Sequence, residues 1–128
     1  MAQVALTFAI YVLVSMRRVG SVKTGASKPS DYRVPIVEPD ASATAIRSLA
    51  NQFELPILFY VCCLTLFVLG AVSTLALGLA WAFVISRAAH AAVHVTSNRI
   101  KHRWPLFITG FAIVAAMWIV VLWRLANF

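Results

Sequence analysis

Residues 55–85 read LPILFYVCCLTLFVLGAVSTLALGLAWAFVI, and not one of these side chains is charged. A membrane-crossing helix needs about 20 apolar residues. The run is therefore too long for one crossing and too short for two with an ordinary loop between them. Its only weak point is Gly70-Ala71-Val72-Ser73-Thr74, where a tight turn is expected. The two helices it joins must begin before Leu55 and continue past Ile85, which brings polar residues of both to the same membrane face. Outward from this run, residues 2–16 are uncharged and end at Arg17-Arg18. Positive charge after an apolar stretch, not before it, marks a membrane helix and not a signal peptide. Residues 106–122 form a clean span, with Trp118 and Trp123 near its end suiting an interfacial belt. The expected fold class is an all-α integral membrane protein, a four-transmembrane-helix bundle in one domain over residues 1–128. Its spans are expected at about 2–17, 45–69, 73–96 and 104–125.

Composition agrees. Of 128 residues, 62% are apolar and 12% charged, against about 45–50% and about 25% in soluble domains, so a water-soluble globule is excluded. Cys62 and Cys63 are neighbours in an apolar run, point in different directions and have no metal-ligand spacing. They are packing residues, and no metal is expected. The polar stretch 17–45 carries Gly20, Gly25, Pro29, Pro35 and Pro39, so no long helix is expected there. A helix should restart near Ser42 as N-cap, and Tyr32 with the prolines reads as an ordinary loop. The net charge is +7, yet Arg17, Arg18, Lys23, Lys28, Arg33, Arg47, Arg87, Arg99, Lys101 and Arg103 all fall in or near the first and third connections. Only Arg124 lies on the other side. The positive-inside rule then puts both connections in the cytoplasm and both termini on the outer face. The basic excess is a topology signal, and no nucleic-acid partner is expected.

Two polar clusters do not suit a purely structural bundle. Arg47, Asn51 and Glu54 are spaced by four and three, which stacks them on one helix face. Arg87, His90 and His94 repeat that geometry, with Arg99 and Arg103 following. Ionisable groups at membrane depth cost several kcal/mol unless paired, and usually face a bundle interior. A Glu54–Arg87 tie is the purely structural reading. It leaves unexplained why four arginines and two histidines converge on one carboxylate. Such a set suits a small anionic ligand that also carries an ammonium, with arginine forks on its carboxylates and Glu54 on its amine. Many small zwitterions meet that description.

The stretch Arg47-Ser-Leu-Ala-Asn51-Gln-Phe-Glu54-Leu-Pro56 resembles the R-x-x-x-N-x-x-E signature of the MAPEG family, membrane-associated proteins of eicosanoid and glutathione metabolism. Ser86-Arg87-Ala-Ala-His90-Ala-Ala-Val-His94 is similar to that family's R-x-x-H-x-x-x-Y motif. The resemblance covers nearly the whole chain and is that of a bacterial-type member in an inner membrane. It implies a homotrimer with glutathione, as co-substrate, at each subunit interface near the cytoplasmic side. Arg47, Asn51, Glu54, Arg87, His90, His94 and Arg99 would bind the tripeptide. Arg103 would be catalytic, stabilising the thiolate that attacks a lipophilic electrophile or hydroperoxide. The chain departs from the family at His94, where Tyr is usual, and at Trp104, where the synthase branch has a serine.

The implied activity is that of a glutathione transferase or peroxidase. One alternative is a non-catalytic, lipid-binding member of the same family. Another is a small multidrug exporter, which fits the length. It is opposed by a first helix without any ionisable group and by arginines that would repel drug cations. Pro56 is expected to bend the second helix, Ala88 and Ala92 to permit close helix packing, and His102 to be solvated.

Overall fold

The charge-free run folds into a helical hairpin. In the computed structural model, which describes residues 1–33 and 38–127, α3 (Leu55–Val68) and α4 (Thr74–Val95) flank a turn at the expected place. Gly70 sits at φ +60, where a side chain would be strained. The Gly70 and Ala71 amides donate to the carbonyls of Phe67 and Leu66, closing α3. Ser73 then opens α4, its hydroxyl accepting from the Ala76 amide at 3.2 Å.

The remaining helices are α1 (Ala2–Lys23), α2 (Asp40–Ala50) and α5 (Ile100–Ala126). Among the described residues there is no strand. One apolar core joins Leu55, Phe59, Cys62 and Leu66 of α3 to Phe83 of α4 and to Val114, Met117 and Val121 of α5. The spacing of three and four is that of a single helix face. At its centre Phe59 stacks on Phe83, ring centroids 4.4 Å apart. A second core joins Ile10 and Val14 of α1 to Ala45 and Leu49 of α2 and Ala91 of α4. The outward side chains are apolar too: Phe67, Leu75, Trp81, Ile85, Ile119 and Trp123 are all more than half exposed. Water would penalise such a surface, whereas hydrocarbon does not. Four helical stretches are long and apolar enough to cross a membrane, with α2 and α3 counting as one, Asp40–Val68.

Three local expectations are corrected. Ser42 is not the N-cap of the second helix; Pro39 is. Ser42 lies in the first turn and donates to Glu38 Oε1 at 2.7 Å, because Glu38 is held nearby by a bidentate bond from Arg18, both contacts 2.8 Å. That ion pair also lets α1 continue through Arg17-Arg18 to Lys23, with Arg17 donating to Thr44 Oγ1 and to the Val95 carbonyl. The described part of the first connection is not an ordinary loop either. Pro29–Tyr32 forms a 3-10 turn, and the Tyr32 hydroxyl meets Ser21 Oγ at 2.7 Å beneath the Arg18 guanidinium. Pro35 lies outside the described residues.

The third correction bears on the site. Pro56 does not merely bend the second helix. The helix stops at Ala50, passes through a 3-10 turn over Asn51–Phe53 and restarts at Leu55. Proline lacks an amide donor, and inside a helix its ring clashes with the carbonyl four residues back, here that of Gln52. It is tolerated in the first turn of α3, where no donor is needed. Glu54 absorbs the break at φ −100, ψ −102. Arg47, Asn51 and Glu54 therefore do not share one continuous helix face.

Candidate functional site

The break in the second helix faces α4 at the turn that carries Arg87, His90 and His94. No glycine or proline interrupts α4 between residues 79 and 95, so these three side chains keep the helical spacing and point the same way. All three are buried. Arg87 is wholly so. Its Nη2 donates to the Asn51 backbone carbonyl at 3.3 Å, and its guanidinium lies 5.9 Å from the centre of the Phe107 ring. Its Nε and Nη1 have no hydrogen-bond partner among the described residues.

Gly110 of α5 makes room for this arrangement. A β-carbon there would come within 3.2 Å of Ser86 Oγ and 3.4 Å of Arg87 Cδ, so any side chain would press on the stem of the arginine. His90 is edge-on to His94, ring centroids 5.7 Å apart, and lies 6.0 Å from Phe107. Asn51 bridges the two sides. Its Nδ2 donates to the Arg47 carbonyl at 3.1 Å and approaches His94 Nδ1 at 3.4 Å. His94 Nε2, on the far side of the ring, is buried and also without a partner among the described residues.

These groups border a cavity of about 320 Å³ lined by Asn51, Glu54, His90, Ile100, Arg103, Trp104 and Phe107. Arg103 enters from the first turn of α5 and donates to Asn98 Oδ1 at 2.7 Å. Asn98 adopts φ +49, a left-handed conformation that asparagine tolerates better than most residues. The cavity thus has an acidic side chain, a half-buried arginine, a buried histidine and an aromatic wall. An anion with an apolar partner fits such a lining.

Of the residues singled out from sequence, Asn51, Glu54, His90 and Arg103 line the cavity, and Arg87 and His94 sit behind it. Glu54 and Arg87 form no ion pair; Arg18–Glu38 is the only one among the described residues. Arg47 is exposed and borders a neighbouring depression with Glu38, Asp40, Thr44 and Asn98. The two hollows adjoin through the Asn98–Arg103 bond. Arg99 is exposed at the N-cap of α5 and lines neither. Asn98 and Phe107 join the site without belonging to either polar cluster of the sequence. Phe107 lies four residues after Arg103, on the same helix face, and that spacing was the available signal.

Two connected groups outside this site carry shifts of their own. The Arg18 guanidinium holds the Glu38 carboxyl below the usual carboxylate range. The hydrogen bond to Ser21 pulls Tyr32 below the ordinary phenol value.

The family model that matches this chain is that of the MAPEG family, over residues 1–123. No curated protein and no solved structure matches it.

Proposed function

The chain belongs to the MAPEG family and is a multi-pass membrane protein of the glutathione and eicosanoid type. From that premise we propose that it binds glutathione in the cavity between the helix break and α4. We further propose that it uses the bound thiol against lipophilic electrophiles or hydroperoxides. The observation that carries the reading is Arg87: a fully buried guanidinium with two nitrogens unpartnered among the described residues. Buried donors are almost always satisfied, and leaving one unmet costs about 1–3 kcal/mol, more when charged. Once the Arg87 side chain turns into the cavity it lies behind, a carboxylate of the tripeptide would meet them, and Glu54 at the opposite edge would receive the ammonium.

Arg47, Asn51, Glu54, Arg87, His90, His94 and Arg99 are the proposed binding set. Arg47 and Arg99 act from the rim, and they reach the ligand in a homotrimer, where a neighbouring subunit closes the exposed side of Glu54. The trimer sits in a bacterial inner membrane with both termini outward. A membrane-impermeant thiol reagent should therefore reach a cysteine placed at Lys28 from the cytoplasmic side alone. Arg103 is the proposed catalytic residue. A free thiol titrates near 8.5, and an adjacent cation lowers it toward neutrality. The thiolate sulfur then forms a bond to an electrophilic carbon as the leaving group departs with the bonding pair.

Turnover tests this. With a lipophilic aryl halide and glutathione, the purified protein should form the thioether. Arg103→Ala should lower turnover by more than it weakens glutathione affinity, and should raise the thiol pKa read from thiolate ultraviolet absorbance. Equal turnover in the variant would remove Arg103 from the chemistry. Trp104, an indole on the cavity wall, favours a second reading in which glutathione or lipid is held without turnover. Retained binding with no thioether would select it.

A further inference from the structure

A second cavity, of about 430 Å³, lies between the start of α1 and the middle of α3 and α4. Its size falls within the roughly 300–1,000 Å³ of small-molecule pockets. It is separate from the site above. Trp81 on its wall precedes His90 by nine residues, about 14 Å along α4. The wall is mainly apolar, built from side chains such as Phe59, Leu77 and Trp81, with Tyr60, Cys63 and Met1 at its edge.

One fully buried polar side chain stands out in this wall. Gln3 lines it and is 2% exposed. Its Nε2 donates to Gln52 Oε1 at 2.9 Å, and Gln52 in turn donates to the Ser48 carbonyl at 3.2 Å. That chain fixes the orientation of the Gln3 amide and leaves its Oε1 with no partner among the described residues. A buried amide oxygen without a donor is costly in an apolar setting. Hydrocarbon cannot supply one, and a lipid tail filling the cavity would leave the oxygen unmet.

We propose that this cavity is a binding site for a single-chain lipophilic molecule bearing a hydroxyl group, whose O–H donates to Gln3 Oε1 while its chain lies against Phe59, Leu77 and Trp81. The site is distinct from the glutathione cavity and does not depend on it.

The probe is a diazirine-tagged long-chain alcohol, with the matched hydrocarbon lacking the hydroxyl as control, applied to the full-length protein in detergent. The alcohol should crosslink to residues around Tyr60, Cys63 and Trp81, and the hydrocarbon about fivefold less, the equivalent of one hydrogen bond at about 1 kcal/mol. Gln3→Leu should reduce the alcohol to the level of the hydrocarbon. Because that variant also breaks the bond to Gln52, Leu77→Trp supplies an independent arm. It fills the cavity and leaves the amide pair intact, and should block crosslinking of both probes. Equal labelling by alcohol and hydrocarbon would overturn the proposal and make the cavity a seat for bulk acyl chains. No labelling, with Cys63 inert to a membrane-permeant maleimide, would overturn it in favour of a second copy of the chain covering the site. Thioether formation from glutathione serves as the separate readout of the other cavity and should be unchanged in Leu77→Trp.

Discussion

Among the described residues, Arg87 has one backbone carbonyl within hydrogen-bonding distance and no carboxylate paired to it. A buried charge in that condition detracts from the stability of the empty protein, and replacing buried ionic groups with apolar ones of similar size is often neutral or stabilising. Arg87→Met should therefore raise the melting temperature of the ligand-free protein by about 2–4 °C while removing its response to glutathione. A lower melting temperature would mean that the arginine serves the fold. Glu54 behaves differently because it is exposed at the helix break. Its substitution costs little in the empty protein, since it forms no ion pair among the described residues. Glu54→Gln should weaken glutathione binding by about tenfold, the scale of one charge-assisted hydrogen bond, with the melting temperature nearly unchanged. Titration calorimetry beside thermal unfolding separates the two effects, and unchanged affinity would put the ligand ammonium elsewhere.

At the scale of elements, the first connection is fastened to the end of α1 by Arg18, Glu38, Ser42, Ser21 and Tyr32. The folded-state pKa of Glu38 is depressed, so its contribution is fully present above the unfolded carboxylate value of about 4.3. It is lost as pH falls through the lower folded value. The pair is partly solvated, and about 1 kcal/mol is the expected scale. Glu38→Gln should lower the melting temperature at pH 7, and the gap from the parent protein should close as the pH drops below about 4. A gap that persists in acid would place the effect in packing.

That latch was illegible in the sequence, because Arg18 and Glu38 are twenty positions apart and nothing local links them. The helical hairpin was legible, because thirty-one positions without charge admit few other readings. Arg87, His90 and His94 were legible for a related reason: an uninterrupted helix turns spacing directly into geometry. The same rule misled at Arg47, Asn51 and Glu54. There Pro56 ends the helix one turn early, and the three residues reach the site from a helix, a 3-10 turn and a break.

Among the described residues, an apolar exterior suited to lipid surrounds two cores and the polar cavity near the end where the basic residues gather. The family match accounts for the helix order, and the cavity accounts for polar groups that a simple bundle would not keep. The central claim is that glutathione occupies this cavity, and its most direct test is thermal unfolding of the detergent-solubilised protein with and without reduced glutathione. A ligand that binds only the folded state at about 100 times its dissociation constant adds about 2.7 kcal/mol. The melting temperature should climb with glutathione concentration in the parent protein and stay level in Arg87→Met. A parent protein whose melting temperature does not move with glutathione across the millimolar range, or an Arg87→Met variant that responds equally, would contradict the assignment.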